Sequence, residues 1–364
     1  MRQGRHPARR RGIGLRVVAL EEMTEDMVLA REIIDSENAR VLLGKGTVNL
    51  PQYADRLRGI GVRWLYVEDV ASAGIEIKPA LRQELADQAE ASLQAIFASL
   101  QLDRQPQYLS MVRLTQELIQ DVLANRELLV NVYELRCRGG DFLGHSVNVA
   151  FMALLIGQSL QYDDSKLKNL GMGALLHDIG VVSLPVSLLN RRRNFTLEEK
   201  LLYEQHPVLG YHAVRDSWEI SPQSRGVILS HHERSDGSGY PRRLLRGDIH
   251  EFSRIVGLAD CFEELAGGHP MSQEMNIQEA VELLSVQADK WFEAALVKSF
   301  TNRIPLCPTG ATVRLNDGRC AVVVAQNQGF PTRPVVRVIQ DAAGKPAIPA
   351  PDIDLLENNH LVIQ

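Results

Sequence analysis

The sequence predicts a multi-domain, mainly α chain, in which a large all-helical metal-binding domain is flanked by a small N-terminal α+β module and a small C-terminal β appendage. Three observations predict it. Apolar residues recur at helical spacing from about Pro79 to Phe300, short β-prone runs occupy both ends, and histidines and aspartates gather within the helical stretch. The length of 364 residues exceeds the roughly 100–200 residues usual for one domain, so two or three units are expected. Hydrophobic content of 45%, charged content of 23% and a formal charge of −5 describe an ordinary soluble globular protein. They give no global positive field for stable nucleic-acid binding.

Taken in order, residues 1–14 carry Arg2, Arg5, Arg9, Arg10 and Arg11 without an acid and read as a disordered basic tail. Residues 15–78 read as the α+β module. Its strands are expected at Leu15–Val18, Met27–Ala30, Arg40–Leu43 and Trp64–Val67, with a Pro51-initiated helical pattern placing Tyr53, Leu57 and Ile60 on one face. Residues 79–135 read as a helical connector, with Leu81, Leu85, Ala89, Leu93 and Ile96, then Met111, Leu114, Leu118 and Val122, at a spacing that suits packing or a homodimer stalk. Residues 136–304 are the helical metal-binding domain and residues 305–364 the appendage. There Ala311–Leu315 and Cys320–Val324 flank an Asp317-Gly318 turn as a hairpin, which Val335–Ile339 and Leu361–Ile363 extend. Cys137, Cys261, Cys307 and Cys320 form no C-x-x-C pair, and no run of about 18 apolar residues reads as a membrane span. A reducing cytoplasm is the expected location.

The chemistry concentrates in residues 171–241. His177-Asp178 closes the apolar segment Leu170–Leu176 and is followed by His206, by His231-His232-Glu233 and by the turn Asp236-Gly237-Ser238-Gly239-Tyr240-Pro241. Upstream, Asp141 and His145 stand four apart and so share a helical face. Downstream, Asp260 lies in the apolar run that begins at Ile255. A buried carboxylate needs a cation or hydrogen-bond donors beside it. The candidate ligands are therefore Asp141, His145, His177, Asp178, His206, His231, His232 and Asp260. Mixed imidazole and carboxylate donors suit iron, manganese or zinc rather than an all-oxygen cage. Eight donors exceed one tetrahedral ion and imply two or more metals, which is equipment for phosphate-ester hydrolysis.

This ordered series resembles the HD-GYP family, a branch of the HD phosphohydrolases that hydrolyses cyclic di-GMP. The likeness runs from about Arg136 to Pro270 through His145-Ser146-Val147, Leu176-His177-Asp178-Ile179-Gly180, His206-Pro207, His231-His232-Glu233-Arg234 and Asp236–Pro241. The resemblance implies an HD-type helical fold and two or three divalent transition-metal ions, Fe or Mn. It implies catalytic weight on His177 and Asp178, with Asp178 bridging the ions. Asp141 stands where some members place a glutamate that supports a third metal. The resemblance places Tyr240 and Pro241 at the substrate, which would be opened to pGpG with GMP as a further product, and Arg234 and Arg242 flank that loop closely enough in sequence for either a substrate or a structural role. Diguanylate cyclase (GGDEF) domains are the implied protein partners. Two positions differ from the family pattern: Val181 replaces a lysine that meets a substrate phosphate, and His269-Pro270-Met271-Ser272 replaces an Arg-Pro-Tyr segment. Arg191, Arg192 and Arg193 read first as a solvated loop, with substitution for the missing lysine as the alternative. The alternative reading is a catalytically weak member acting as a cyclic di-GMP sensor or cyclase scaffold.

Overall fold

The computed structural model describes residues 14–34, 41–59, 62, 64–75, 77, 81–124, 142–189, 195–267, 275–327, 329–347 and 351–364. The Arg-rich tail, Asp141, Arg191–Arg193 and His269–Ser272 lie outside the described residues. By contact the chain forms two units, Met1–Lys78 with Pro305–Gln364, and Pro79–Ile304.

In the first unit, β1 (Arg16–Ala19), β2 (Val28–Leu29) and β5 (Trp64–Glu68) make a three-stranded antiparallel sheet in the order β1-β5-β2. Between them lie the two-stranded pair β3 (Ile33–Ile34) and β4 (Val41–Leu43) and the short helix α1 (Ala54–Gly59). Val18, Leu29, Leu50, Leu57, Leu65 and Val67 fill the core under this sheet. The other end of the chain joins the same unit. Val17 N–H donates to the Gly310 carbonyl at 2.8 Å, and the buried Arg16 guanidinium pairs with Asp69 at 2.7 Å while donating to Thr312 Oγ1 at 2.9 Å. Sequence periodicity treats the two ends as separate segments, because pairing between residues almost 300 positions apart leaves no local pattern.

The C-terminal segment is an antiparallel meander of β6 (Thr312–Arg314), β7 (Cys320–Ala325), β8 (Val335–Gln340) and β9 (Asp352–Asp354). Gly318 turns the β6–β7 hairpin at φ +86°, a value that glycine adopts without penalty. The fourth strand differs from expectation. It is Asp352-Ile353-Asp354 on β8, whereas Leu361–Ile363 supplies only one bridge, Leu315 to Ile363. One apolar residue between two aspartates carries no strand signal.

The second unit is helical: α2 (Gln83–Gln101), α3 (Leu109–Ala124), α4 (Phe142–Ser159), α5 (Asp164–Leu175), α6 (Val186–Leu189), α7 (Leu197–Tyr203), α8 (His206–Val214), α9 (Pro222–Ser230), α10 (Glu251–Gly267), α11 (Ile277–Val286) and α12 (Ala294–Thr301). Its centre is α4, in which residues 144–157 are buried throughout. By length and composition α4 could cross a membrane, yet 78% of it is buried within the protein, as suits a core helix. The connector helices α2 and α3 pack on each other and on α4.

Local signals set where these helices begin. Asp163 caps α5 by accepting from Lys166 N–H, Thr196 and Glu199 form a capping box on α7, and Ser221 caps α9 ahead of Pro222. Helix α5 ends at Leu175, and the following turn carries His177 and Asp178 inward. Gly180 makes that turn possible, because a Cβ there would stand 2.0 Å from the His206 carbonyl oxygen and 2.4 Å from Gly210 N. The clash is with backbone and has no flexible escape. Gly180→Ala should therefore lower unfolding free energy by about 1–3 kcal/mol, read from the urea midpoint at unchanged m. A midpoint within error of the wild type would refute this account of the turn.

Candidate metal centre

Five short segments deliver the polar cluster. Helix α4 brings His145, the turn after α5 brings His177 and Asp178, α8 begins with His206, the end of α9 brings His231 and His232, and α10 brings Asp260. All seven are buried, His177, His206 and His231 completely. Backbone carbonyls only accept, which places the Nδ1 hydrogen of three of the histidines. His177 Nδ1 donates to Ala174 O at 2.7 Å, His206 Nδ1 to Tyr203 O at 2.8 Å and His231 Nδ1 to Ile228 O at 3.1 Å. His145 Nδ1 donates to Glu263 Oε2 at 2.6 Å. Four Nε2 lone pairs are thereby aimed at a common interior.

There they meet other acceptors. His145 Nε2 lies 3.2 Å from His177 Nε2 and 3.2 Å from Asp260 Oδ1, while Asp178 Oδ2 is 3.8 and 3.5 Å from the same two imidazoles. On the other side, Asp178 Oδ1 is 3.1 Å from His206 Nε2 and 3.6 Å from His231 Nε2, and these two nitrogens are 3.3 Å apart. Asp178 thus turns one oxygen to each pair of histidines. Buried lone pairs that face one another repel unless a cation or extra protons lie between them. Asp178 Oδ1, Asp260 Oδ2 and His232 Nε2 are buried without a hydrogen-bond partner. Three sets of donors close to within 4.8 Å of one another, Asp178 with His206, His231 and His232, His145 with His177 and Asp260, and His232 with Asp260 and Glu264. The residues fit divalent metal binding.

The electrostatics agree. Burial opposes charging His145 and His177, but Glu263 and Asp260 around the first and Asp178 and Asp260 around the second outweigh it and raise both. Burial likewise opposes ionisation of Asp178 and Asp260, yet the surrounding imidazoles hold both carboxyls well below their ordinary range. His231 and His232 are lowered, first by burial and then by neighbouring imidazoles. A cation bound here would compete with protons for the same donor atoms.

The signature turn packs against this centre. Glu233 is buried and accepts from Arg242 N–H and Leu244 N–H, both at 2.8 Å, which fastens the loop from within. A Cβ on Gly239 would come 2.4 Å from the His232 carbonyl oxygen, so the loop passes there only as glycine. The Tyr240 ring then stacks on His232 at 4.6 Å and Pro241 follows, half-buried. Arg234 spreads over the Phe292 ring at 4.9 Å and reaches the His231 and Glu233 carbonyls, whereas Arg242 is exposed and donates to Ser230 Oγ at 2.8 Å. Val181 is buried in an apolar cluster with Leu184, Leu188 and Tyr203.

Sequence reasoning missed Glu263, Glu264 and Asn148. Glu263 is buried and held ionised against burial by His145, with Asn148 Nδ2 donating to its second oxygen at 3.0 Å. Its signal was position: three residues after Asp260 on one helix, it shares the inward face. A carboxylate behind a ligating imidazole fixes its tautomer and raises its basicity. Glu263→Gln should accordingly weaken metal binding about 10–100-fold, measured by chelator competition on protein whose circular dichroism matches the wild type. Unchanged affinity would remove Glu263 from the centre.

A family model described as HD domain matches residues 117–296, and one described as KOW domain associated with HD domain matches residues 312–364. The chain is similar to a cyclic di-GMP phosphodiesterase of Pseudomonas aeruginosa, 28% identical over 271 residues that cover 74% of this chain and 65% of that protein. It is also similar to the cyclic di-GMP phosphodiesterase PdeB of Borreliella burgdorferi, 29% identical over 195 residues, 54% of this chain and 51% of that one. The alignments span less than two thirds of these relatives' lengths. Among solved structures, an HDG"Y"P protein from Bdellovibrio bacteriovorus shares the fold at a TM-score of 0.51 and 16% identity, covering 79% of this chain and 98% of its own. The first model falls within the helical unit that holds the buried cluster, and residues 117–296 are identified by that match as an HD domain.

Proposed function

We propose that the chain is a metal-dependent cyclic di-GMP phosphodiesterase that opens the ring to linear pGpG, with GMP as a second-step product. The observation that carries this reading is Asp178 presenting opposite oxygens to two histidine pairs. On it, His145, His177, Asp178 and Asp260 hold one divalent ion, and Asp178, His206, His231 and His232 hold another. Fe or Mn suits the mixed nitrogen and oxygen donors. Bound ions would supply an activated water and Lewis-acid stabilisation of the phosphoryl oxygens. The chain's own part is to hold the imidazoles in one tautomer, to exclude bulk water and to aim the Tyr240 loop. Relatives named for cyclic di-GMP support the substrate.

Substrate contacts fall to Arg242, Arg234, Tyr240 and Pro241 on this reading. Arg242 suits the task best, because its guanidinium is exposed beside the loop while Arg234 is committed to Phe292 and two carbonyls. A second reading, sensor or scaffold for GGDEF domains, is favoured by Val181, which offers an apolar side chain where a lysine would meet phosphate. A cytoplasmic location suits either reading, since cyclic di-GMP is an intracellular messenger.

The test is anaerobic purification, loading with Mn²⁺ or Fe²⁺, and chromatography of cyclic di-GMP conversion beside an Asp178→Ala control. The expected result is metal-dependent pGpG that falls at least about 100-fold in the control, a loss of the size that one group's removal produces in other hydrolytic centres. A folded, metal-filled protein with no turnover would leave the sensor reading in its place. A further expected outcome is that chelation lowers the thermal midpoint. Ions present at 100 times their Kd add about 2.7 kcal/mol to the native state.

A further inference from the structure

We infer that Ser230 is a positioning residue for the substrate: its hydroxyl sets the direction of the Arg242 guanidinium, which then meets a phosphate of the cyclic dinucleotide already aimed. The inference rests on the proposed phosphodiesterase reading and deepens it with a residue outside the metal centre. Ser230 closes α9 and directly precedes His231 and His232. It is only 3% exposed, yet its Oγ accepts at 2.8 Å from Nη2 of the exposed Arg242. Among the described residues this is the one bond that the Arg242 guanidinium makes, so its other N–H groups stay open to an anion.

Holding the loop in place does not require that bond. Glu233 already fastens the backbone on both sides of Arg243, accepting from Arg242 N–H and Leu244 N–H at 2.8 Å each. Arg243 between them takes φ +55°, a left-handed conformation that a residue with a side chain keeps only where its surroundings enforce it. Tyr240 N–H and Arg246 N–H close the loop on the His232 and Ser235 carbonyls, both at 3.2 Å. What the Ser230 hydroxyl adds is the direction of a head group. An exposed arginine that samples many rotamers surrenders that freedom on binding, whereas one set beforehand does not. Its planar fork then matches two phosphate oxygens. Alanine would end α9 without a buried oxygen to satisfy, so the hydroxyl is not there for packing.

The experiment measures KM and kcat for cyclic di-GMP in the Mn²⁺-loaded full-length protein, or Kd by equilibrium dialysis where turnover is absent. Wild type, Ser230→Ala, Ser230→Thr, Arg242→Ala and the double variant Ser230→Ala with Arg242→Ala are compared, with circular dichroism and bound-metal content recorded for each. The expected result is that Ser230→Ala raises KM or Kd about 2–10-fold, the ordering cost of one long side chain, with a much smaller change in kcat. Ser230→Thr, which keeps the hydroxyl, recovers most of the loss. In the Arg242→Ala background Ser230→Ala adds nothing, because the serine acts through the arginine. Unchanged KM or Kd in Ser230→Ala would overturn the inference, as would an equal loss in the Arg242→Ala background or a loss of bound metal. A wild type that neither binds nor converts cyclic di-GMP would overturn the proposed function and this inference with it.

Discussion

The constraint on which the helical unit depends is the convergence of acceptors on acceptors in a dry interior. Carbonyls at Ala174, Tyr203 and Ile228 take the Nδ1 hydrogens of three histidines, so their Nε2 lone pairs have no choice but to face inward. Two aspartates face them. Such an arrangement without a counter-charge would cost several kcal/mol per buried carboxylate. Cations among the donors would supply that counter-charge, and binding them would couple stability of the fold to occupancy of the site.

Rigid backbone contacts hold the donors where that coupling can act. Gly180 lets the turn after α5 pass against the backbone at His206 and Gly210, and Gly257 of α10 would collide through a Cβ with the His231 carbonyl at 2.3 Å. Helices therefore approach at the level of backbone rather than side chain, so a shift in one moves ligands on two. Glu233 does the same for the loop, tying its backbone to the segment that carries His231 and His232. Side chains in close-packed interiors transmit displacement rather than absorb it.

Much of this was legible in the sequence, and the residues show why. Imidazoles and carboxylates that end buried advertise themselves by standing in apolar segments, as His177 and Asp178 do after Leu170–Leu176 and Asp260 does after Ile255. The strands β1, β2, β4 and β5 follow β-branched and apolar runs. Glu263 and Glu264 were not read as site residues, because a glutamate pair on a helix usually faces solvent and only the rotational setting of α10 turns these inward. The joining of β1 to the β6 region was equally hidden. Arg16, Asp69 and Thr312 look like surface residues until they meet, and nothing local records a partner far along the chain.

Val181 is the place where the fold and the proposed chemistry pull apart. Its side chain completes an apolar cluster with Leu184, Leu188 and Tyr203. A lysine there would need its ammonium drawn out to water or to a phosphate, since burying it unpaired is expensive. The chain has instead given the position to packing, and Tyr203 in that cluster holds the carbonyl that orients His206. On the proposed function, recognition of an anionic substrate would rest on bound ions and on cations carried by the signature loop, where Arg242 is exposed and its backbone is fixed by Glu233. A binding site built in this way would depend on its metals for affinity as well as for chemistry.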